Sequence, residues 1–375
     1  MATTNPLQAA LQAAVDNGTF PGAVLAVRLR GTLVYEGASG RLSQENPVEG
    51  VTIHTCYDLA SLTKVLATTT ALLLLMQRGK LTLDDRIDRI LNELQGTAAG
   101  AASIHQLLTH SSGLPGWRPY YERLASLEAG QSGFPARTAA CEAVLGYIAQ
   151  EALVYERGSR SLYSDLGFML LGWAVERLAG ESLDQFCKYQ IYRPLGAQPL
   201  AYLPRRSQTM PVASSESYVI APTEADPWRG RTLCGEVHDE NAFALGGVAG
   251  HAGLFGSARA VLAVAKAWLD GRRGKAGLLH PELVTLFTTR QQGIPNASWA
   301  LGWDTPSGSS SSGTRFSPES FGHLGYTGTS LWIDPVKELE VVLLSNRVHP
   351  TRKNERIKTF RPLIHDLICQ EFLGD

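Results

Sequence analysis

The sequence predicts an α+β protein in which an antiparallel β-sheet is flanked by helices and adjoins an all-helical domain. Three features of the 375-residue chain support this prediction. An amphipathic helix at the start leads directly into a hairpin pattern over residues 22–40, and the middle third carries mainly helical patterns. The last third returns to strand patterns and ends in a helix, so we expect it to complete the sheet.

The first and last segments are expected to be helices that pack on the same sheet. Asn5 and Pro6 suit the N-cap and the first helical position, and apolar residues then follow on one face until Asn17 interrupts the pattern. Residues 352–372 carry Ile, Phe and Leu at helical spacing, which indicates a helix with one buried face.

Between these ends we predict a helical domain of residues 85–235 and a sheet domain of residues 1–84 and 236–375. Residues 305–320 are rich in Ser and Gly and have no apolar pattern, so they are predicted to form an exposed, mobile loop. Helices are predicted over residues 65–78, 103–109, 137–150, 166–179 and 258–270, and strands over residues 322–334 and 339–346.

Composition excludes several classes of partner. The chain has 34 basic and 35 acidic residues and a formal net charge of -1. No overall field therefore attracts nucleic acid or an anionic membrane, and neither is expected as a partner. The N-terminus lacks a signal-peptide pattern, which predicts a cytoplasmic protein, while the five cysteines form no Cys-x-x-Cys pair and are expected to be reduced. The oligomeric state is left open.

The sharpest chemical signal is Ser61-Leu62-Thr63-Lys64. Residues three apart on a helix project from the same face, so the Ser61 hydroxyl and the Lys64 amine are expected to meet. An amine can remove a hydroxyl proton when burial and neighbouring charge lower its pKa, and backbone amides at a helix start stabilise negative charge. The alternative is a solvated helix pair, but the apolar run after Lys64 predicts a buried helix.

Two further segments carry suitable groups. Tyr163-Ser164-Asp165 stands just before a helical pattern. Its phenol can shuttle a proton beside an ammonium group, or it can be a half-buried tyrosine that caps a neighbouring element. Residues 321–329 contain three glycines, which mark either a strand that a ligand approaches closely or a turn between strands. Backbone amides of such a strand can bind an oxyanion.

In their order along the chain, these segments resemble the three sequence boxes of the penicillin-binding-protein and class C β-lactamase superfamily. Residues 61–64 resemble its Ser-x-x-Lys box, residues 163–165 its Tyr-x-Asn box, and residues 323–325 its Lys-Thr-Gly box. The resemblance extends from about residue 22 to residue 367. It implies a β-lactamase/transpeptidase-like fold with the active site in the groove between the sheet domain and the helical domain.

The resemblance also implies roles for individual residues. Ser61 is then the nucleophile, and Lys64 and Tyr163 exchange its proton. The backbone amides of Ser61 and Tyr326 form the oxyanion hole. Asp165 stands where the family usually has an Asn that contacts the lysine and the substrate. An aspartate there can pair with Lys64 and hold it charged, which makes Tyr163 the expected base.

The third box departs further from the family pattern. His323 replaces a lysine that helps to hold a substrate carboxylate, and it is mostly neutral at pH 7. Leu324 has no hydroxyl group, and only Gly325 matches the box. We therefore expect Asp165, His323 and Gly325 to contact the substrate, but recognition of a β-lactam carboxylate to be weak.

The predicted function is hydrolysis of a small carboxylic ester or amide through an acyl-enzyme. Two alternatives remain open: a β-lactamase or D-amino-acid peptidase, and a non-enzymatic sensor of the same fold that binds or is acylated without turnover. A small-molecule ester, amide or lactam is the expected partner. No cofactor and no metal are expected, because the sequence has no phosphate loop, no His-Glu-x-x-His helix and no histidine spacing typical of ligands.

Overall fold

The computed structural model describes residues 5–43, 49–127, 135–205, 218–295 and 297–374. No helix within these ranges combines the length and the apolar composition needed to cross a bilayer. The α-helices within them are α1 (Pro6–Asp16), α2 (Thr70–Gln77), α3 (Ile104–Leu108), α4 (Tyr120–Leu127), α5 (Arg137–Ala149), α6 (Asp165–Ala179), α7 (Leu183–Cys187), α8 (Glu240–Ala244), α9 (Ala258–Arg272), α10 (Pro281–Thr288) and α11 (Ile357–Leu373). The strands are β1 (Gly22–Leu29), β2 (Thr32–Gly40), β3 (Tyr57–Asp58), β4 (Ala201–Tyr202), β5 (Ala225–Asp226), β6 (Arg231–Thr232), β7 (Leu254–Gly256), β8 (Phe321–Leu324), β9 (Ser330–Asp334) and β10 (Leu339–Ser345).

The main sheet has five strands in the order β2-β1-β10-β9-β8, and every neighbouring pair is antiparallel. β1 pairs with β10 from Ala23 opposite Ser345 to Leu29 opposite Leu339, so strands from the two ends of the chain lie side by side. This confirms the predicted α+β fold and the predicted completion of the sheet by the last third of the chain.

Side chains of the central strands alternate between two cores, as the two-residue period of a strand requires. In β1, Val24 and Ala26 face one core, whereas Ala23, Leu25 and Val27 face the other. The second core also takes the apolar faces of α1 and α11, so the helices from both chain ends pack on this side of the sheet. Their buried residues in this core are Leu7, Leu11, Ala14, Ile357, Phe360, Ile364, Ile368 and Cys369.

The first core continues from the other face of the sheet into the helical region. It includes α2, which is buried along almost its whole length, and the apolar residues of α6 and α9. The cluster thus joins residues of both predicted domains, and the division into residues 85–235 and the remainder stays a prediction.

The helix that follows Ser61 begins with an irregular turn. Lys64–Thr69 is a π-helical segment, and α2 continues from Thr70. The Thr70 hydroxyl donates to the carbonyl of Val65, five residues earlier, and accepts a hydrogen bond from the indole of Trp268, so the wide turn is fixed by buried contacts. Such π-turns occur frequently at functional sites.

Two predictions for the last third were wrong in detail. Residues 322–334 form the hairpin of β8 and β9, since Gly328 adopts a φ of 115° and the chain turns back before Ser330. Residues 305–320 form no helix or strand and many of them are exposed, as predicted, but Phe316 is buried and packs edge-on against Trp332. The polar groups of this segment find partners on neighbouring elements, which allows burial without an apolar pattern; they include Ser311 with Trp332, Thr314 with Asp366, and Ser317 with Asp334.

The contact between α6 and the segment at Gly250 is close enough to be tested. A Cβ at Gly172 in α6 would lie 2.8 Å from Cα and 2.9 Å from N of Gly250. Because these are backbone atoms, the two elements must move apart, and we expect Gly172→Ala to lower the free energy of unfolding by about 1–3 kcal/mol.

Gly146 in α5 provides the matched control, because a Cβ there meets nothing within 4 Å. Gly146→Ala should leave stability unchanged or raise it by about 0.5–1 kcal/mol through its higher helix propensity. Urea-induced unfolding measures both variants. An equal loss in the two would contradict the packing described for α6.

Candidate active site

Ser61 stands at the sharp turn between β3 and the helix that carries Lys64. Ala60, just before it, has a φ of 47°, in the left-handed region that non-glycine residues rarely adopt. The amide of Ala60 donates to Oδ1 of buried Asp58 at 2.8 Å, which holds this backbone in place. The strained turn therefore presents the Ser61 side chain at the start of the helix.

The structure brings Lys64 to Ser61 as the spacing predicts. Lys64 is fully buried, and its Nζ donates to Ser61 Oγ at 2.9 Å, to Asp165 Oδ1 at 2.7 Å and to the carbonyl of His251 at 3.3 Å. Burial acts to lower the pKa of Lys64, but Asp165 and Tyr163 together outweigh it, and the pKa is raised. Lys64 is thus held as an ammonium ion.

Tyr163 joins the same cluster. Lys64 Nζ lies 4.6 Å from the centre of the Tyr163 ring, and the phenol also interacts with Ser61. Burial raises the pKa of Tyr163, while the charge of Lys64 acts to lower it; the net shift is upward, so the resting phenol is neutral. The ring is 36% exposed, which leaves one side open to a substrate.

His110 fixes the segment that carries Tyr163 and Asp165. Its Nδ1 accepts a hydrogen bond of 3.1 Å from the amide of Ser164, and its ring lies 4.7 Å from that of Tyr163. Burial holds the pKa of His110 well below its ordinary value, so the ring stays neutral and keeps its acceptor nitrogen. Ser164 in turn caps α6 by accepting from the amide of Gly167, which places Asp165 in the first turn of the helix.

The β8–β9 turn, residues 325–329, packs directly on the backbone that leads to Ser61. Thr327 Oγ1 donates to the carbonyl of Asp58 at 2.7 Å, and Thr329 Oγ1 donates to that of Leu59 at 3.0 Å. A Cβ at Gly325 would overlap both Thr329 Oγ1 and the Leu59 carbonyl oxygen. Glycine is therefore favoured there because the Thr329 side chain and the Leu59 backbone leave no room for a β-carbon.

The backbone amides of Ser61 and Tyr326 are both available to a substrate. Among the hydrogen bonds of the described residues, neither amide donates to another protein group. Ser61 and Tyr326 line the same two cavities. Two unused N–H groups beside a nucleophile are the donors that an oxyanion requires.

His323 occupies the position of the lysine in the third box. Its Nδ1 lies 2.8 Å from the carbonyl of Leu324, so Nδ1 carries the proton and Nε2 is left as an acceptor. Burial, together with the nearby charge of Lys64, lowers the pKa of His323 to about 3. The ring is therefore uncharged at neutral pH and packs against Trp299 and Tyr163, with ring centres 5.8 and 6.0 Å away.

Two cavities meet at Ser61, Tyr163 and Tyr326. The first has a volume of about 360 Å³, and the second, of about 450 Å³, is more apolar. Residues that line only the first include Trp117, Asp165, His238, Asp239, Glu240 and Arg352. Residues that line only the second include Trp299, His323, Leu324, Arg347, Lys358 and Arg361.

Several of these lining residues were not singled out from the sequence. Asp239 caps α8, and its carboxylate lies 2.9 Å from Nε2 of His251, whose carbonyl accepts from Lys64. An Asp before a short apolar helix could have signalled the cap, but not its place in the site. Trp299 and Arg361 carry no local signal, since only tertiary contacts bring them to the cavity.

Among the described residues, no group of His, Cys, Asp and Glu is arranged to hold a metal ion.

The fold and the site define a class of proteins, the serine hydrolases in which a Ser-x-x-Lys pair meets a tyrosine beside an antiparallel sheet. The family model described as Beta-lactamase matches residues 7–365. The chain therefore belongs to the beta-lactamase family, and the predicted superfamily is confirmed.

Known relatives agree with this assignment. A protein of Escherichia coli (strain K12) named "Putative D-alanyl-D-alanine carboxypeptidase" is 36% identical over 358 residues, which cover 89% of this chain and 80% of the relative. The solved structure of EstCE1, a hydrolase with promiscuous acyltransferase activity, has a TM-score of 0.70 at 24% identity and covers 96% of this chain and 97% of its own. The octameric penicillin-binding protein homologue from Pyrococcus abyssi has a TM-score of 0.73 at 21% identity and covers 98% and 77%. The two structures show the shared fold.

The Lys64–Asp165 pair predicts a shift in the pH dependence of the reaction. Burial lowers the pKa of Lys64 and raises that of Tyr163, whereas Asp165 raises both. Asp165→Asn removes this charge and lowers the pKa of whichever group accepts the proton. The limb of the kcat/KM profile that rises with pH should therefore move to lower pH in Asp165→Asn.

Asp184→Asn serves as the matched control, because Asp184 lines neither cavity. The pH profile of kcat/KM for this variant should coincide with that of the wild type. The measurement is kcat/KM for an aryl ester across the pH range. A limb that stays in place, or moves to higher pH, would show that Asp165 does not set the pKa of the base.

Proposed function

We propose that the protein hydrolyses a small carboxylic ester or amide through an acyl-enzyme on Ser61. The observation that carries this proposal is the 2.9 Å hydrogen bond from Lys64 Nζ to Ser61 Oγ at the point where two cavities meet. A nucleophile reached from two sides has room for an acyl group in one cavity and a leaving group in the other. The family supports hydrolysis at the serine, and the following steps are the proposed mechanism.

In the acylation step, the Ser61 proton passes to Tyr163 and then to the leaving group. Asp165 keeps Lys64 protonated, so Lys64 orients Ser61 Oγ by donation and is not the first acceptor. Because the resting phenol is neutral, Tyr163 first loses its proton to solvent, and the ammonium group of Lys64 stabilises the phenolate. The phenolate takes the Ser61 proton as Oγ attacks the carbonyl carbon, and it passes that proton to the leaving group. In deacylation, Tyr163 takes a proton from the attacking water and gives it to Ser61 Oγ as the acyl–oxygen bond breaks.

The amides of Ser61 and Tyr326 are the proposed oxyanion hole. The support is that neither donates to another group within the described residues, and that Thr327 and Thr329 tie the Tyr326 turn to the residues before Ser61. Loss of one such donor typically costs about 3 kcal/mol of transition-state stabilisation.

Preference for an ester or amide over a β-lactam is supported by the altered second and third boxes. Asp165 is engaged by Lys64, and a carboxylate cannot donate to a substrate carbonyl. His323 is neutral and presents an acceptor nitrogen, which does not attract a substrate carboxylate. A D-amino-acid peptidase is the second candidate, because the Escherichia coli relative bears the name of a D-alanyl-D-alanine carboxypeptidase.

A substrate panel with Ser61→Ala tests the proposal. We expect hydrolysis of p-nitrophenyl acetate and butyrate, with kcat/KM lowered by about 10³-fold or more in Ser61→Ala because the nucleophile is lost. Ser159→Ala is the matched control, since its exposed hydroxyl only bonds the carbonyl of Glu156. Nitrocefin and a tripeptide ending in D-alanyl-D-alanine complete the panel, and both should be cleaved more slowly than the best ester.

The contradicting outcomes are distinct. Equal ester hydrolysis by the wild type and Ser61→Ala would reject the esterase proposal. Comparable turnover of nitrocefin would favour the β-lactamase alternative, and faster turnover of the peptide would favour the peptidase. A stable adduct on Ser61 without turnover would identify a sensor.

A further inference from the structure

Two buried guanidinium groups lie against the back of the 325–329 turn. Arg361 of α11 is 6% exposed, and its Nη2 donates to the carbonyl of Gly325 at 3.0 Å and to that of Thr329 at 2.7 Å. Arg347, 7% exposed, donates from Nε to the carbonyl of Tyr326 at 2.8 Å. Two cations thus hold the carbonyls of Gly325, Tyr326 and Thr329.

Neither guanidinium is paired with a carboxylate among the ion pairs of the described residues. Buried arginines are normally paired, because removing a charge from water costs several kcal/mol unless it is compensated. Burial, together with the nearby charge of Arg347, lowers the pKa of Arg361 to about 9, and its Nε has no partner within the described residues. Packing alone does not explain a cation here, since an apolar side chain would fill the same space without this cost.

Arg361 donates to the carbonyl of the Gly325–Tyr326 peptide group. The Gly325 carbonyl and the Tyr326 amide belong to the same peptide group, whose N–H is a proposed oxyanion donor. A cation that bonds the carbonyl oxygen polarises the peptide and makes its N–H a stronger donor, as in any chain of cooperative hydrogen bonds. Arg361 Nη2 also joins the Gly325 carbonyl to that of Thr329, which accepts from the Gly325 amide at 2.7 Å, so the Gly325 carbonyl is held in place relative to the end of the turn.

We propose that Arg361 is a positioning residue that orients and polarises the Gly325–Tyr326 peptide so that the Tyr326 amide binds the oxyanion. The inference rests on the proposed acyl-enzyme mechanism and deepens it. Arg361 acts on the transition state through Tyr326, so its loss should affect kcat while leaving the binding of the neutral ester nearly unchanged.

The test compares Arg361→Met and Arg361→Lys with the wild type. We expect Arg361→Met to lower kcat for p-nitrophenyl butyrate by about 10- to 100-fold with KM changed less than about threefold, since the donor is weakened rather than removed. The inhibition constant of phenylboronic acid, which forms a tetrahedral adduct with a serine, should rise in parallel with the loss in kcat/KM. Arg361→Lys keeps the charge but lacks the rigid, planar guanidinium group, so it should lie between the two.

Arg28→Met is the matched control. Arg28 also donates to a backbone carbonyl, that of Leu262 at 2.9 Å, but it lines neither cavity. This variant should lose stability, measured by thermal unfolding, and retain its kcat and its boronate inhibition constant.

Several outcomes would overturn the proposal. The first is an Arg361→Met variant that folds and matches the wild type in kcat and in boronate inhibition. The second is an Arg361→Met variant that folds and loses activity only through a higher KM. If Arg361→Met does not fold, Arg361→Lys decides the question, because wild-type values of kcat and of boronate inhibition in that variant contradict positioning of the peptide by the rigid guanidinium group. Failure of the underlying mechanism is recognised separately, since the wild type and Ser61→Ala would then hydrolyse the ester equally.

Discussion

The buried ammonium group of Lys64 is the constraint on which the rest of the site depends. A charge without exposure to water is tolerated only when it is paired and hydrogen-bonded, because burying it alone costs several kcal/mol. Its three partners come from separate parts of the chain: Ser61 from the turn before the helix, Asp165 from the start of α6, and His251 from the segment that packs on α6. His110 then fixes the start of α6. Neutralising one cation therefore sets the relative positions of three elements and places the serine hydroxyl among them.

The opposite wall of the site is held against the backbone that precedes Ser61. The 325–329 turn hydrogen-bonds to the carbonyls of Asp58 and Leu59, and Asp58 also accepts from the amides of Ala60 and His238. The strained backbone at Ala60 and the close approach at Gly325 persist because the surrounding contacts determine both positions. In the proposed mechanism, the nucleophile and the oxyanion donors consequently need little rearrangement when a carbonyl group arrives.

Features set by neighbouring residues in the chain could be predicted from the sequence. Asn5 and Pro6 begin α1 as expected, and the three-residue spacing of Ser61 and Lys64 brought their side chains together. Features set by tertiary contacts could not be predicted. Residues 305–320 lack an apolar pattern, yet Phe316 within them is buried because polar groups of the segment bond to distant elements. Arg361 reaches the site only through the docking of α11 on the sheet. The resemblance of the three boxes supplied what local pattern could not, namely that segments far apart in sequence would meet.

Mass spectrometry of enzyme quenched with acid during turnover of p-nitrophenyl butyrate shows whether Ser61 is acylated. A fraction of the wild-type protein should carry one butyryl group, and the peptide containing Ser61 should bear it. Ser61→Ala should show no adduct under the same conditions. Turnover that depends on Ser61 but leaves the butyryl group on another residue would rule out an acyl-enzyme on Ser61, as would the same adduct on Ser61→Ala.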